Sequence, residues 1–590
     1  MFLRKTERRK NGKTHLYWSV VENRRLDDGR VIQRHALYLG EINSSQADAW
    51  RRAIEVFDED AGRSRSLALF PEDGCEAPQG DDVIRLRLSE MQLRRPRQWG
   101  ACWLAGVLWR ELQLDRFWAE RLPKSRKGTR WDHVAETLVA YRLIDPGSEW
   151  RLHRQWFLDS AMADLIGSDF GLAEAHKLYR CHDRLIAHKR SLFSHLTQRW
   201  RDLFNASFDV LLYDLTSTYF EVNASDLPED SKRRHGYSRD KRPDCPQLVI
   251  ALVVTPEGLP LAYEVLPGNT ADCKTLRDFL AKIQSQYGKA RRVWVMDRGV
   301  PTEEVLAEMR ASDPPVSYLV GTPKGRLTRL EKQLVDQPWR KAHEGVEVKL
   351  LAQDDELYVF AQSADRVSKE RAMRRRQLKW LWARLKKLAE MNVSREERLM
   401  KLGAARSKAP SAWRLVSTDV DKTGKLTYSL DRDKLRVVRR REGRYLLRTN
   451  LTHDDPAKLW QYYVQLVAVE EAFKNLKGDL AIRPVFHQDE KRIEAHIFVA
   501  FLAYCLQVTL TRRLHGLAPG LTARSALAKF AAVQMIDVHI PTTDGREIIL
   551  TRYTEPEPDL RLLINRMNLA LPAQPPPKIA APALPPPRLP

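Results

Sequence analysis

Sulfur chemistry has little to work with in this chain. Six cysteines, Cys75, Cys102, Cys181, Cys245, Cys273 and Cys505, are spread over 590 residues without a Cys-x2-Cys pair. That excludes a zinc-finger framework, and it suits a reducing compartment rather than a disulfide-stapled fold. Cys181 and His182 are adjacent, poor spacing for two ligands of one zinc, so every cysteine reads as structural. Long apolar runs are scarce as well. None reads as long enough to span a bilayer, no secretory signal follows Met1, and a membrane partner is not expected. No internal repeat is visible. Acidic residues fall short of basic ones, 77 against 99, leaving a net charge of +22. An excess of that size points to a polyanionic partner, because neutralising many phosphates takes many Lys and Arg.

Apolar residues, at 43%, are enough for large cores, and the length predicts roughly two to four domains. Residues 1–95 read as a small β-containing element and linker. THLYWSVVE and VIQRHALYLG alternate about a turn at Asp27-Asp28-Gly29, and a polar stretch near 71–82 has linker character. Residues 96–204 turn helical and tryptophan-rich. Leu104, Val107, Leu108 and Leu112 keep helical spacing, and Trp103, Trp109, Trp118, Trp131 and Trp156 are candidate core. Interleaved Lys and Arg in LPKSRKGTRW and RLHRQWF make this the expected duplex-binding region.

From 205 to 323 the period changes. One strand, a hairpin of two more, then helix, strand, helix and strand give the order of a ribonuclease-H-like mixed α/β sheet flanked by helices. Residues 324–450 interrupt that order as an insertion. In it KERAMRRRQLKWLWARLKKLAEM carries Leu378, Leu381, Leu385 and Leu388 at helical spacing amid many Arg and Lys, open both to packing and to tracking DNA. YSLDRDKLRVVRRREGRYLLRTN reads as strands around a turn at Glu442-Gly443. Residues 451–555 form the second part of the sheet domain, with HIFVAFLAYCLQVTL as a buried helix. Residues 556–590 are a proline-rich tail, expected to be unstructured from about 571.

Three carboxylates stand out. Val210, Leu212 and Asp214 share one strand face, as do Val293, Val295 and Asp297, so each aspartate is expected where an apolar strand ends. In YYVQLVAVEEAFKNLKGDL, Tyr463, Glu470 and Lys477 are seven apart and line up along one helical stripe. Leu466, Val469, Phe473 and Leu476 form an apolar arc. Glu470 is about 40° from Leu466 and about 100° from Val469, which places it at the border of the buried face, with Glu471 turned away. Carboxylate oxygens from two strands and a helix suit a pair of Mg²⁺ (or Mn²⁺) ions, which can serve both oxygens of an in-line phosphoryl displacement.

These residues resemble a DDE transposase of a bacterial insertion sequence, of the IS-four superfamily. That group shows Tyr-x2-Arg-x3-Glu-x6-Lys; here the positions are Tyr463, Leu466, Glu470 and Lys477, with leucine in place of arginine. The likeness extends to YDLTSTYFE, GYSRDKRPDCPQL, LPGNTAD and MDRG. It implies Asp214, Asp297 and Glu470 as the catalytic, metal-binding triad, with Tyr463 and Lys477 contacting DNA. Lys474, Arg298, Lys241 and Arg242 are additional candidates for phosphate contacts. It also implies cut-and-paste transposition on terminal inverted repeats and target DNA, often through hairpin ends, by a homodimer or higher oligomer in the synapse. The cytoplasm, at the nucleoid, is the expected location. A domesticated DNA-binding protein without catalysis and a structure-specific nuclease without strand transfer are the alternatives.

Overall fold

The computed structural model describes residues 84–580, apart from 127, 168–169, 223–226, 230, 241, 272–274, 288–291, 298–299, 323–329, 331–336, 354, 452–454, 484 and 486, and five strands before residue 84. Contacts divide the chain into two compact units. One comprises Met1–Leu104, His153–Phe170 and Leu517–Pro590; the other comprises Ala105–Leu152 and Gly171–Gly516.

The first unit opens with an antiparallel sheet of β1 (Phe2–Lys10), β2 (Lys13–Arg25) and β3 (Val31–Glu41). β2 and β3 pair as the alternating segments predict; the Asp27–Gly29 turn and the 71–82 stretch lie outside the described residues. A hairpin of β4 (Ile54–Asp58) and β5 (Arg63–Leu67) follows, then β6 (Gln92–Gln98).

The second unit holds the large sheet. Its strands are β7 (Val210–Tyr219), β8 (Gln247–Val254), β9 (Pro260–Pro267), β10 (Val293–Met296) and β11 (Ser317–Gly321), then β12 (Arg340–His343), β13 (Val346–Gln353) and β14 (Glu356–Ser363). After the hairpin β15 (Val416–Val420) and β16 (Leu426–Leu430), β17 (Arg444–Thr449) completes it. The order is β12-β13-β14-β17-β11-β10-β7-β8-β9. β7, β8 and β9 run as an antiparallel meander, while β10 and β11 add in parallel on the other side of β7. That is the ribonuclease-H-like arrangement the element order predicts. β8 is buried at every position, as expected of a central strand covered on both faces.

The inserted residues do more than interrupt. β17 pairs antiparallel with both β11 and β14, so the insertion widens the same sheet by four strands. Beyond it, the basic segment is one helix, Ala364–Glu390, whose Leu381, Leu385 and Leu388 pack with Leu402, Ala405, Ala409, Ala412, Val416 and Leu426 into a core of their own. The expectation of strands throughout 428–450 needs correction. Arg432–Arg440 is a helix, capped by the Asp431 side chain accepting from the Lys434 N–H. An acidic N-cap followed by straight-chain residues explains it.

Helices fill 100–204, and Trp103, Trp109, Trp118, Trp131 and Trp156 are all buried. The helix Glu490–Leu517 is, contrary to expectation, long and apolar enough to cross a membrane by length and composition. It is nevertheless 94% buried over its apolar window, and so forms the core of the second unit. The chain then returns to the first unit with β18 (Gln534–Pro541), β19 (Glu547–Tyr553) and β20 (Lys578–Ala580), in the order β20-β19-β18-β6. The proline-rich end is thus ordered further than expected. Pro558–Arg566 is a helix with Leu560, Leu563 and Ile564 buried, and β20 pairs with β19; 581–590 lie outside the described residues. Buried Arg97 closes this unit, bonding Asp164 at 2.9 Å and Asp537 at 3.1 Å.

Candidate active site

Two neighbouring strands and one helix bring the three carboxylates together. β7 and β10 run parallel with Met296 opposite Tyr213, so Asp297, the next residue, continues beside Asp214. The helix Leu466–Lys477 packs across β7 and β8 through buried Leu466, Val469, Ala472, Phe473 and Leu476, the arc read from the sequence. Asp214 carries the electrostatic record of the convergence. Burial pushes its pKa up to about 7, the carboxylates of Asp297 and Glu470 push the same way, and the Leu215 N–H and Arg239 act against them. Its surface is still partly open, although protein atoms crowd it.

Three local expectations are corrected. Asp214 lies inside β7 rather than at its end, opposite Leu252 of β8. The reason is asymmetry: β8 covers β7 as far as Tyr219, whereas β10 stops after four residues and leaves Asp214 at the step. The predicted continuous stripe is also broken. Tyr463 lies in the last turn of one helix, Pro456–Val464, and Glu470 and Lys477 lie on the next, with Gln465 between the two helices. Tyr463 stacks on Tyr445 of β17, ring centroids 5.5 Å apart. Glu470 is exposed rather than at the border of the buried face, and the charge of Glu471 reaches Tyr504 on the long helix.

The basic candidates part ways. Lys477 Nζ donates to Asp240 Oδ1 at 2.8 Å, and Arg483 pairs with the same oxygen. Burial first, then the positive charges of Arg483 and Arg239, lowers the Lys477 pKa against the pull of Asp240. Lys474 is exposed in the last turn of the helix. Arg242 is held by Glu221 at 3.1 Å and Asp244 at 3.0 Å, above the ring of Tyr219. Lys241 and Arg298 lie outside the described residues. Sequence reasoning passed over Arg239, whose charge reaches Asp214 and whose N–H donates to Ser217 Oγ at 3.2 Å. The run SRDKR signalled basic residues there, but a loop has no period from which to choose the one facing the acids.

Glycines of two motif stretches set this loop in place. A Cβ on Gly236 would meet the Gly268 carbonyl oxygen at 2.0 Å, and one on Gly268 would meet the Gln247 oxygen at 2.1 Å. Backbone bonds between Arg234 and Gln247, and from the Gly268 N–H to the Lys232 carbonyl, use that closeness. The loop bearing Arg239 and Asp240 is thereby fastened to the β8–β9 edge.

A ribonuclease-H-like sheet with acids on its two central parallel strands, and a third on a helix laid across them, has the donor set of a divalent-metal phosphoryl-transfer centre. Residues 209–506, half of the chain, match the Transposase DDE domain family, and the chain belongs to that family. Residues 3–65 match the N-terminal domain of the IS1634 family of transposases. The activity is therefore DNA cleavage and strand transfer, on behalf of an insertion sequence. Among solved structures, the chain is similar to the piggyBac transposase in its synaptic complex with hairpin DNA. The two share 10% identity with a TM-score of 0.34, over 73% of this chain and 79% of that one. No curated protein matches.

Proposed function

We propose that Asp214, Asp297 and Glu470 are the catalytic carboxylates and hold a pair of Mg²⁺ or Mn²⁺ ions. The observation that carries this reading is the charge coupling of Asp214 to both other acids. The negative charges of Asp297 and Glu470 both bear on buried Asp214, and divalent cations would relieve that repulsion while leaving positions for phosphate oxygens. Bound there, the ions would stabilise the attacking and leaving oxygens of an in-line displacement, first by water and then by a DNA 3′-hydroxyl. Asp214, whose charge is felt together with both of the others, would supply oxygens to the ions alongside Asp297 and Glu470. Arg239 and exposed Lys474 are assigned to the DNA backbone beside the acids, and Tyr463 to the DNA further along. Lys477 acts through Asp240, fixing the loop that presents Arg239.

The substrate in this reading is duplex DNA: the terminal inverted repeats of the element and a target, joined by cut-and-paste within a homodimer or larger synapse in the cytoplasm. We also read the chain as a diverged branch of the IS-four superfamily. Leu466, at the signature's arginine position, is buried on the sheet-facing arc, so no guanidinium reaches the DNA from there.

The test is cleavage of an element-end duplex in Mg²⁺. Asp214→Asn, Asp297→Asn and Glu470→Gln should each lose cutting by at least about a thousandfold while binding the duplex as wild type does. Cutting by any of them at the wild-type rate would overturn the assignment.

A further inference from the structure

Away from these acids, within the second unit, three histidines close on a single carboxylate oxygen. Glu149 begins the short helix Glu149–Arg151, His182 lies on Ala175–Leu185, and His496 lies on Glu490–Leu517. His487 sits in the stretch between the glutamate helix and that long helix. Glu149 Oε1 is 3.0 Å from His182 Nε2, 3.2 Å from His487 Nε2 and 3.9 Å from His496 Nδ1. All four residues are buried, and ligand atoms of Glu149, His182 and His487 lie within 4.8 Å of one another.

Hydrogen bonding accounts for part of this cluster. A carboxylate oxygen offers about two lone-pair sites, which His182 Nε2 and His487 Nε2 can fill, while His496 Nδ1, at 3.9 Å, makes no hydrogen bond to it. His496 Nδ1 also lies 3.4 Å from Arg142 Nη2, a group that can only donate, so that nitrogen is an acceptor turned towards an acceptor oxygen. The opposite nitrogens of two of these rings, His182 Nδ1 and His496 Nε2, are buried with no hydrogen-bond partner among the described residues and face away from the cluster.

We propose that Glu149, His182 and His487 bind a zinc ion, with His496 Nδ1 exchanging its contact with Arg142 for the fourth position. Tetrahedral zinc with bonds of about 2.0–2.1 Å places neighbouring donor atoms about 3.3 Å apart. The separations of 3.0 and 3.2 Å from Glu149 Oε1 are close to that edge. Imidazole nitrogen with one carboxylate selects zinc over magnesium, which favours oxygen throughout. The site clamps the helices Glu149–Arg151 and Ala175–Leu185 to the chain leaving the glutamate helix, so its role is structural. Nothing in its chemistry depends on the acidic triad. Arg142 already offsets the charge of Glu149, which makes a metal-free ion-pair cluster the rival.

Elemental analysis of the full-length protein, purified without chelator, should find about one zinc per chain that excess Mg²⁺ does not displace. Exchange into Co²⁺ should give the visible absorption of a tetrahedral site. The double variant His182→Gln, His487→Gln should lower the zinc content at least about tenfold. Wild-type protein that carries no zinc after incubation with Zn²⁺ and gel filtration, and shows no Co²⁺ band, overturns the proposal in favour of the ion pair. So does a folded double variant that keeps its zinc. Should that variant fail to fold, the Co²⁺ spectrum of the wild type decides.

Discussion

Asp214 shows how one side chain can couple proton, metal and stability. Burial, reinforced by Asp297 and Glu470, lifts its pKa to about 7, so near neutral pH a cation must compete with a proton. Mg²⁺ affinity should therefore fall by up to about tenfold per pH unit below 7, with proton release on binding. Calorimetry in buffers of different ionisation enthalpy measures both. The sign for folding follows from the same shift. The folded chain holds this proton more tightly than the unfolded chain, so without metal its contribution to stability falls as pH rises from about 4 to about 7, and is level above that. Two thermal results are expected. Mg²⁺ should raise Tm more at pH 8 than at pH 6, and Asp214→Asn should raise the metal-free Tm at pH 8. A metal-free Asn variant with an unchanged Tm at pH 8 would show that Asp214 is not under this stress.

At the scale of elements, apolar periods were the most legible, although exposed Glu470 and the helix Arg432–Arg440 escaped them. The apolar arc of Leu466, Val469, Phe473 and Leu476 is buried as its spacing predicts, and the strand–helix order through Gly321 matches the sheet. What failed lay in pairing and breaks, which composition does not encode. That β10 is short beside a long β7 decides where Asp214 stands, and Gln465 divides a run whose heptad spacing looks continuous. The His182 site was missed because its partners lie 33 and 305 residues away in sequence. The glycines were quoted as motif letters, but only their close approach says what they do. Gly268→Ala should strain the contact with the Gln247 and Arg234 carbonyls, costing about 1–3 kcal/mol. It should also lower cutting more than DNA binding, because the loop it loosens presents Arg239. Denaturant melts and cleavage assays on the same preparation check this, and equal losses in cutting and binding would count against that role for the loop.

For the whole molecule, the charge of +22 is not spread evenly. The helix Arg432–Arg440 buries none of its residues, and Arg439, Arg440, Val437 and Val438 are all exposed on it. The neighbouring helix Ala364–Glu390 turns its leucines inward to the insertion's own core and leaves most of its Arg and Lys exposed, although Arg374 is turned onto buried Glu442. The two readings of the basic helix, packing and DNA tracking, are thus compatible, because they use different faces. If this surface follows a phosphate backbone, each contact it makes releases counterions and steepens the salt dependence of binding by about 0.9 in log K per log salt. Arg439→Ala with Arg440→Ala should then weaken binding to element ends and to random duplex alike, and flatten the slope by roughly 1 to 2. Fluorescence anisotropy over a salt series separates this from a fold defect, which would change the amplitude of binding but not the slope. An unchanged slope with both arginines removed would place the duplex elsewhere, leaving the insertion to act through its four strands on the sheet that carries Asp214 and Asp297.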